Sequence, residues 1–477
     1  MNKHKKRKLS REQYMALVFR VLWNEQLVSV TAFFPLILFA FWPLLLLVPT
    51  AVQGSFDRMI ELNRLLLDNI LFPIVAWLSV LALVLALLQT WHKDRSALHV
   101  FRDNPVFVVF LALVLWMIID IPFTNGVTNI LLNGQGLKHE SFFLHLEYFL
   151  CFFTLGLCLR NPNLKLWLLR GMTIVSAVLA SFTFYLHDHL QATPYYYDWK
   201  PTYAGIFTNI NYYGYFLNIF IALLAGLLAE ATSNRWRGFY AVALALNTLA
   251  LSYNNTLGAW IGSFCACLFA VAACRIRDGR FRLWTFVPLV VFLVVICAAG
   301  VVNGNLMNNL GRFAHDTALV VTSPSSAETA SAGSGRWFIW KNCMKLIREN
   351  PVFGIGFEGV HVRVLAEVGN PRPHNEFLQY ALFYGIPGGL LYVLGCAGVY
   401  VRAFRQRVHL DAPTFAALTA AFGYLTGSFF GLTVYNTAPY FFIMLGLGYT
   451  WGEPKPEPQA ESYRPSKGNR LKRRVTL

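Results

Sequence analysis

Residues 283–302, LWTFVPLVVFLVVICAAGVV, carry no charged side chain over about twenty positions, the length an α-helix needs to cross the hydrocarbon core of a bilayer. Apolar runs of this kind begin near Val30, Ile70, Pro105, Phe142, Leu166, Gly205, Gly238, Leu257, Trp284, Phe377, Phe415 and Tyr440. They predict about twelve transmembrane helices, the last a short one. Lipid offers no partner to a bare N–H or C=O, so each segment must close its own backbone hydrogen bonds. The expected fold is therefore all-α, a polytopic transmembrane helical bundle. Composition agrees, with 56% of the 477 residues hydrophobic and 13% charged.

A net charge of +16 would suggest nucleic acid in a soluble chain, but here the basic residues collect in alternate connections. MNKHKKRKLSR, HKDRSALHVFR, SNRWR, CRIRDGRFR, VRAFRQR and the tail RPSKGNRLKRRV hold much of the Lys and Arg, which places both termini in the cytoplasm by the positive-inside rule. The charge sets topology and meets anionic headgroups; no nucleic-acid partner is expected. QYMALVFRVLWNEQLV, residues 13–28, is too interrupted for a signal peptide and reads as an interfacial amphipathic helix. Seven of the eight cysteines (151, 158, 265, 267, 274, 297 and 396) fall in or at the ends of spans, leaving Cys343 in a loop. No disulfide framework or zinc pattern follows, and the cysteines read as small core residues.

The chain divides into a basic N-terminal segment (1–28), spans one to nine (29–302), a large extracytoplasmic loop (303–376), spans ten to twelve (377–453) and a basic cytoplasmic tail (454–477). The loop is far longer than a structural connection requires, which marks it as functional. Within it TSPSSAETASAGSG reads as a flexible linker, and SGRWFIWKNCMKLIREN as an amphipathic helix. Trp337, Trp340, Met344 and Ile347 share one stripe of that helix, and Lys341, Lys345 and Arg348 another. Ser334 is the expected N-cap, and Asn350-Pro351 stops the helix. FGIGFEGV follows as a glycine-rich turn, and NPRPHNE leads into the tenth span.

A reaction at an extracytoplasmic membrane surface has no nucleoside triphosphate at hand, and the usual activated donor there is a polyprenyl pyrophosphate. Such a donor calls for cations at the departing pyrophosphate and a base for the incoming hydroxyl. Arg336, at the start of the loop helix, and Arg372 are the candidate anion binders, since guanidinium holds phosphate through paired hydrogen bonds. Headgroup contact is the simpler alternative for both. His374 is the candidate base, kept neutral by nearby arginines. Glu376 either orients the ring or acceptor or is a first-turn helix carboxylate.

A second extracytoplasmic patch, HDHLQATPYYYDWKPTYAGIFTNINYYGY (187–215), reads as an interfacial aromatic belt or as a platform for sugar rings. Asn209 and Asn211 would hydrogen-bond a glycan or cap the sixth span. No phosphate loop, D-x-D pair or HExxH occurs, and no cofactor or metal site is expected. The His187-Asp188-His189 cluster is a weak zinc signal.

GRWFIWKNCMKLIRENPVFGIGFEGV followed by HNEFLQYALFYGIPGGLLY resembles the O-antigen ligase and polymerase group of bacterial membrane proteins. The similarity lies in an arginine, a helix, Asn-Pro, Gly-x-Gly, then His-Asn and a Gly-x-x-Gly span. GIFTNINYYGYFLN is similar to the family's Asn-x-Asn segment, with isoleucine in place of its common proline. The resemblance covers the sixth through tenth spans. It implies a metal-independent glycosyltransferase of the inner membrane that moves a glycan from undecaprenyl pyrophosphate to a lipid or polysaccharide acceptor hydroxyl, in lipopolysaccharide or surface polysaccharide biosynthesis.

Carried over, Arg336 binds pyrophosphate and His374 is the catalytic histidine, with Asn375 beside it. Family ligases carry a second arginine after the seventh span, where NNTLGAW has Leu257. Arg372, Arg363, Asn254 and Asn255 are then the candidates to supply that contact. Ligases and polymerases share these motifs, so that choice stays open. A protein O-oligosaccharyltransferase is a further variant. A twelve-helix transporter would show a long central loop and half-chain similarity, whereas the connection after the sixth span is the short EATSNRWRG and no repeat is seen.

Overall fold

The computed structural model describes residues 25–45, 71–94, 101–102, 104–124, 140–159, 161–189, 203–207, 209–322, 332–369, 372–432 and 434–449. The interfacial segment ahead of residue 25, most of the 322–335 linker, the tyrosine-rich stretch 190–202 and the tail from 454 lie outside these residues.

Every regular element among the described residues is helical. The bundle comprises α1 (Glu25–Leu45), α2 (Phe72–Asp94), α3 (Pro105–Thr124), α4 (Phe142–Cys158), α5 (Pro162–His189), α6 (Ile210–Glu230), α7 (Asn234–Asn254), α8 (Leu257–Asp278) and α9 (Leu283–Val302). The long connection adds α10 (Asn305–Thr322) and α11 (Arg336–Glu349), and the chain returns through α12 (Glu376–Arg405), α13 (Ala412–Ser428) and α14 (Ala438–Tyr449). A helix stands close to each predicted start. Among the described residues, eight helices are long and apolar enough to cross a membrane: α1, α2, α3, α5, α6, α8, α9 and α12. α4 and α14 are shorter apolar helices.

α6 is the axle of the bundle. Every side chain from Tyr212 to Ala229 is buried, and the helix packs against α13, α7 and α8. A helix apolar all round belongs in the interior, and in lipid such contacts rest on close approach rather than on the hydrophobic effect. Gly226 supplies that approach, since a Cβ there would stand 2.6 Å from the Ala416 Cα of α13. Asn218 ties the three helices: its Nδ2 donates to Gly423 O at 2.8 Å and its Oδ1 accepts from Ser263 Oγ at 3.1 Å.

The burial of α6 corrects the reading of its aromatics. Tyr212, Tyr213 and Tyr215 are core side chains and form neither a belt nor an open sugar platform. The Tyr213 hydroxyl sits against Thr183 Oγ1, and the Tyr215 hydroxyl donates to Phe430 O at 2.6 Å. At the opposite end of the bundle Arg277 pairs with Glu230 at 2.6 Å, and Lys165 with Asp411 at 3.5 Å.

The long connection is built, not merely spanned. α10 occupies a region the sequence leaves without an element. α11 starts at Arg336, but its N-cap is Gly335 in the left-handed region (φ 81°), and Ser334 is one residue too early to cap it. Its buried face is Ile339, Cys343, Leu346 and Ile347, while Met344 is exposed, so the buried stripe is rotated from the expected one. Lys341, Lys345 and Arg348 are exposed as expected. Burial pushes the Cys343 thiol up to about 12, so it is a packing group and not a nucleophile.

After α11 the glycine-rich turn locks onto α12. Ile355 N donates to Leu382 O at 2.7 Å and Ile386 N to Pro351 O at 2.8 Å, both at a break in α12 where Tyr384 and Gly385 leave helical geometry. Only glycine suits Gly385: its φ is +69°, and a Cβ would fall 2.0 Å from Val352 O. The chain then runs through Gly356–Gly359, a π-helical stretch Val360–Val364 and Leu365–Val368 before reaching the turn ahead of α12.

Candidate functional site

The turn from Arg372 to Asn375 carries the densest group of sequence candidates, and three contacts fix it. Asn375 caps α12, its Oδ1 accepting from Leu378 N at 3.0 Å. Arg372 is buried and ion-paired with the buried Glu140 just ahead of α4. The Pro373 carbonyl accepts from Trp340 Nε1 of α11 at 3.1 Å.

Between these anchors His374 sits partly exposed with φ 49°, a left-handed conformation uncommon for a residue with a Cβ. Such a conformation persists only where the surroundings impose it, and here the residue on each side is tied down.

The Trp340 contact also brings Arg336 to the turn. The two residues are one helical turn apart on α11, hence on one face, and Trp340 packs its ring against Phe429 and Phe430. Arg336 is half-buried, and its Nε has no partner among the described residues. Positioned at the first turn of a helix, it adds to the helix dipole that favours an anion there, although the Arg336 and Trp337 N–H groups already donate to Gly333 O and Ala332 O at 3.3 Å each.

Arg372 has a different place from the one its sequence position suggests. Burial opposes its charge, but the Glu140 carboxylate outweighs that and holds the guanidinium's pKa above its ordinary value. Gln379 Nε2 donates to the same carboxylate at 2.9 Å. This is a buried, hydrogen-bonded ion pair beneath the turn, whose guanidinium already faces a carboxylate.

Glu376 is likewise more than an exposed first-turn acid. It is fully buried and accepts from the Tyr392 hydroxyl at 2.6 Å. Deeper still, the Tyr384 hydroxyl lies 2.8 Å from His145 Nδ1, in a cage of Tyr148, Phe357, Tyr380 and Phe383. The sequence singles out none of Glu140, His145 and Gln379. The one available signal was a carboxylate just before an apolar run, at Glu140.

The remaining candidates make contacts within the fold. Arg363 pairs with Glu349 at 2.7 Å, both partly exposed. Asn209 caps α6, accepting from Asn211 N at 2.8 Å. Asn254 Nδ2 donates to Tyr203 O and Ile210 O at 2.9 Å each, joining α7 to the start of α6. Asn255 ends α7 in the left-handed region and accepts from Asn309 Nδ2 at 2.7 Å. The side chains of Asp188 and His189 lie outside the described residues, and His187 stacks on Tyr203 at 3.9 Å. Among the described residues no three His, Cys, Asp or Glu side chains group as metal ligands do.

Residues 239–393, from within α7 to within α12, match the family model described as O-antigen ligase. The matched span takes in Arg336, His374 and the Trp340–Pro373 hydrogen bond between their segments. No curated protein matches the chain.

Proposed function

From a chain that carries an O-antigen ligase family domain over residues 239–393, we propose a glycosyltransferase of the ligase type. Its donor is a glycan on undecaprenyl pyrophosphate, and its acceptor is a hydroxyl of a cell-envelope lipid or polysaccharide at the extracytoplasmic face of the inner membrane. The observation that carries this reading is the hydrogen bond from Trp340 to Pro373, because it joins the arginine-bearing helix to the histidine-bearing turn.

In the proposed reaction the acceptor oxygen bonds to the anomeric carbon as the bond from that carbon to the pyrophosphate oxygen breaks. His374 takes the acceptor proton as base. Arg336 meets the charge that grows on the departing pyrophosphate, its guanidinium supplying the electrostatic stabilisation. Arg372 and Glu140 fix the turn from below, and Asn375 fixes its exit.

The test is mass spectrometry of glycolipids from a strain lacking the gene. Long glycan chains accumulating on undecaprenyl pyrophosphate support a ligase. Single repeats on the carrier would instead identify a polymerase, and an unchanged glycolipid profile would overturn both.

A further inference from the structure

α10 is amphipathic in the reverse sense for a helix in water. Its polar face points at the protein: Asn305 Nδ2 donates to Ser252 O at 3.0 Å, Asn309 Nδ2 to Asn255 Oδ1 at 2.7 Å, and Asp316 Oδ2 accepts from Gly333 N at 2.8 Å. Asn305, Asn309, Arg312 and Asp316 recur at helical spacing along this side, and Arg312 Nη2 donates to Asn309 Oδ1 at 3.4 Å. The opposite side is apolar and bare. Met307 is 68% exposed, Leu310 55%, Phe313 54% and Val321 75%.

What covers this face follows from continuity with the helix before it. α9 is long and apolar enough to span a membrane, and it exposes Val290, Val294, Val301 and Val302 toward its surroundings. Asn303 and Gly304 are the whole connection to α10, so the exposed apolar surface passes from one helix to the next almost without interruption. A water-facing helix would put its polar residues outward; here Asn305 and Asn309 bond α7 and Asp316 bonds Gly333, while Arg312 is exposed along the edge of that side.

We infer that α10 is an interfacial helix whose Met307, Leu310, Phe313 and Val321 face enters the acyl boundary of the leaflet on the long-connection side. Its partner is the lipid itself. A helix of this kind lies in the interface plane with its apolar face buried about 5–10 Å below the headgroups. Through the Asp316–Gly333 hydrogen bond, α10 also sets the height of the turn that precedes Arg336.

The experiment is photocrosslinking of the full-length protein in vesicles of phosphatidylethanolamine and phosphatidylglycerol. p-Benzoylphenylalanine replaces Met307 or Leu310 on the bare face, and Asn308 or His315 on a polar flank, one position at a time. Each variant is first required to elute as a single species. The expected result is lipid adducts, read by mass spectrometry, in several-fold excess at 307 and 310 over 308 and 315. Equal labelling of all four positions, no lipid adducts, or protein adducts at 307 and 310 would overturn the assignment. The last outcome would make another protein surface the partner. None of these readings depends on transferase activity, so they stand apart from the proposed reaction.

Discussion

Trp340 Nε1 donates to the Pro373 carbonyl across 3.1 Å, and this bond ties together two parts of the chain, one carrying Arg336 and the other the proposed base His374. Arg336 stands one turn before Trp340, and His374 is the residue after Pro373. The relation is short-range on both sides. A small shift of α11 would therefore move Arg336 relative to the imidazole, and displacements of that order cost enzymes heavily in rate.

Trp340→Phe keeps a ring against Phe429 and Phe430 but removes the N–H together with the rest of the five-membered ring. The expected loss of stability is about 1 kcal/mol from the hydrogen bond, plus a packing loss from the ring atoms removed. Transfer rate should fall by more than that stability change implies, with donor binding weakened. A melting curve and a purified transfer assay check both quantities, and full activity in the variant would show that the bond does not set the geometry.

His374→Ala should abolish glycan transfer, a loss of about 10²–10⁴-fold if the imidazole acts as the base. Its side chain is partly exposed, and alanine also prefers to leave φ 49°, so thermal stability is measured alongside. His374→Gly separates the effects, because glycine accepts the backbone conformation without strain. Loss of turnover in both variants assigns the function to the ring; recovery in the glycine variant would assign it to the backbone.

Arg336→Lys keeps a positive charge and removes the fork that grips phosphate through two hydrogen bonds. Donor affinity should drop by about tenfold or more, since charge-assisted hydrogen bonds are worth about 1.5–3 kcal/mol each. Binding of a pyrophosphate-bearing donor analogue to the purified protein is the readout. Near-normal affinity would make Arg336 a headgroup contact.

How far the sequence foretold this arrangement depends on whether the signal was local. The helices were legible because lipid demands long apolar runs, and Arg336, His374 and the Asn350 stop sit where their local patterns put them. α10 was not foreseen, because its apolar face is read against lipid and its polar face against protein, the reverse of the rule for a helix in solvent. Arg372 was misplaced for a different reason: its partner Glu140 lies far away in sequence, ahead of α4, and an ion pair across that separation leaves no pattern. Glu376 was read as a first-turn acid because its partner, the Tyr392 hydroxyl, lies 16 residues on along α12, beyond the three- and four-residue spacing at which helical neighbours are read. The aromatic patch misled because tyrosine serves equally at an interface and in a core where its hydroxyl finds a partner.

Gly385→Ala tests whether the break in α12 is required by the turn that docks on it. The added methyl would meet Val352 O and force a left-handed φ on alanine, so either the break or the 351–355 strand of chain must move. A loss of about 1–3 kcal/mol is expected from the backbone conformation alone. The melting temperature in detergent should fall clearly, with protease sensitivity rising in the 351–369 region. An unchanged melting curve would mean that the break relaxes at little cost.

The buried pair of Glu140 and Arg372 allows stability and function to be separated. Removing one partner leaves an uncompensated charge in a dry site, and Glu140→Ala should cost about 3–5 kcal/mol. Loss of activity there would be uninformative, since the protein would fold poorly. Replacing both, as Glu140→Leu with Arg372→Met, removes the desolvation penalty along with the attraction, and such swaps of buried pairs are often neutral or stabilising. The double variant should therefore regain most of the melting temperature lost by the single one. Its transfer rate should stay low, because the turn that holds His374 at φ 49° has lost its lower anchor and only the Trp340 bond and the Asn375 cap remain. Gln379, left with no carboxylate to donate to, adds a modest cost that Gln379→Leu in the same background should relieve. If the double variant regains both stability and rate, the pair serves folding alone and the His374 turn is held by Trp340 and Asn375.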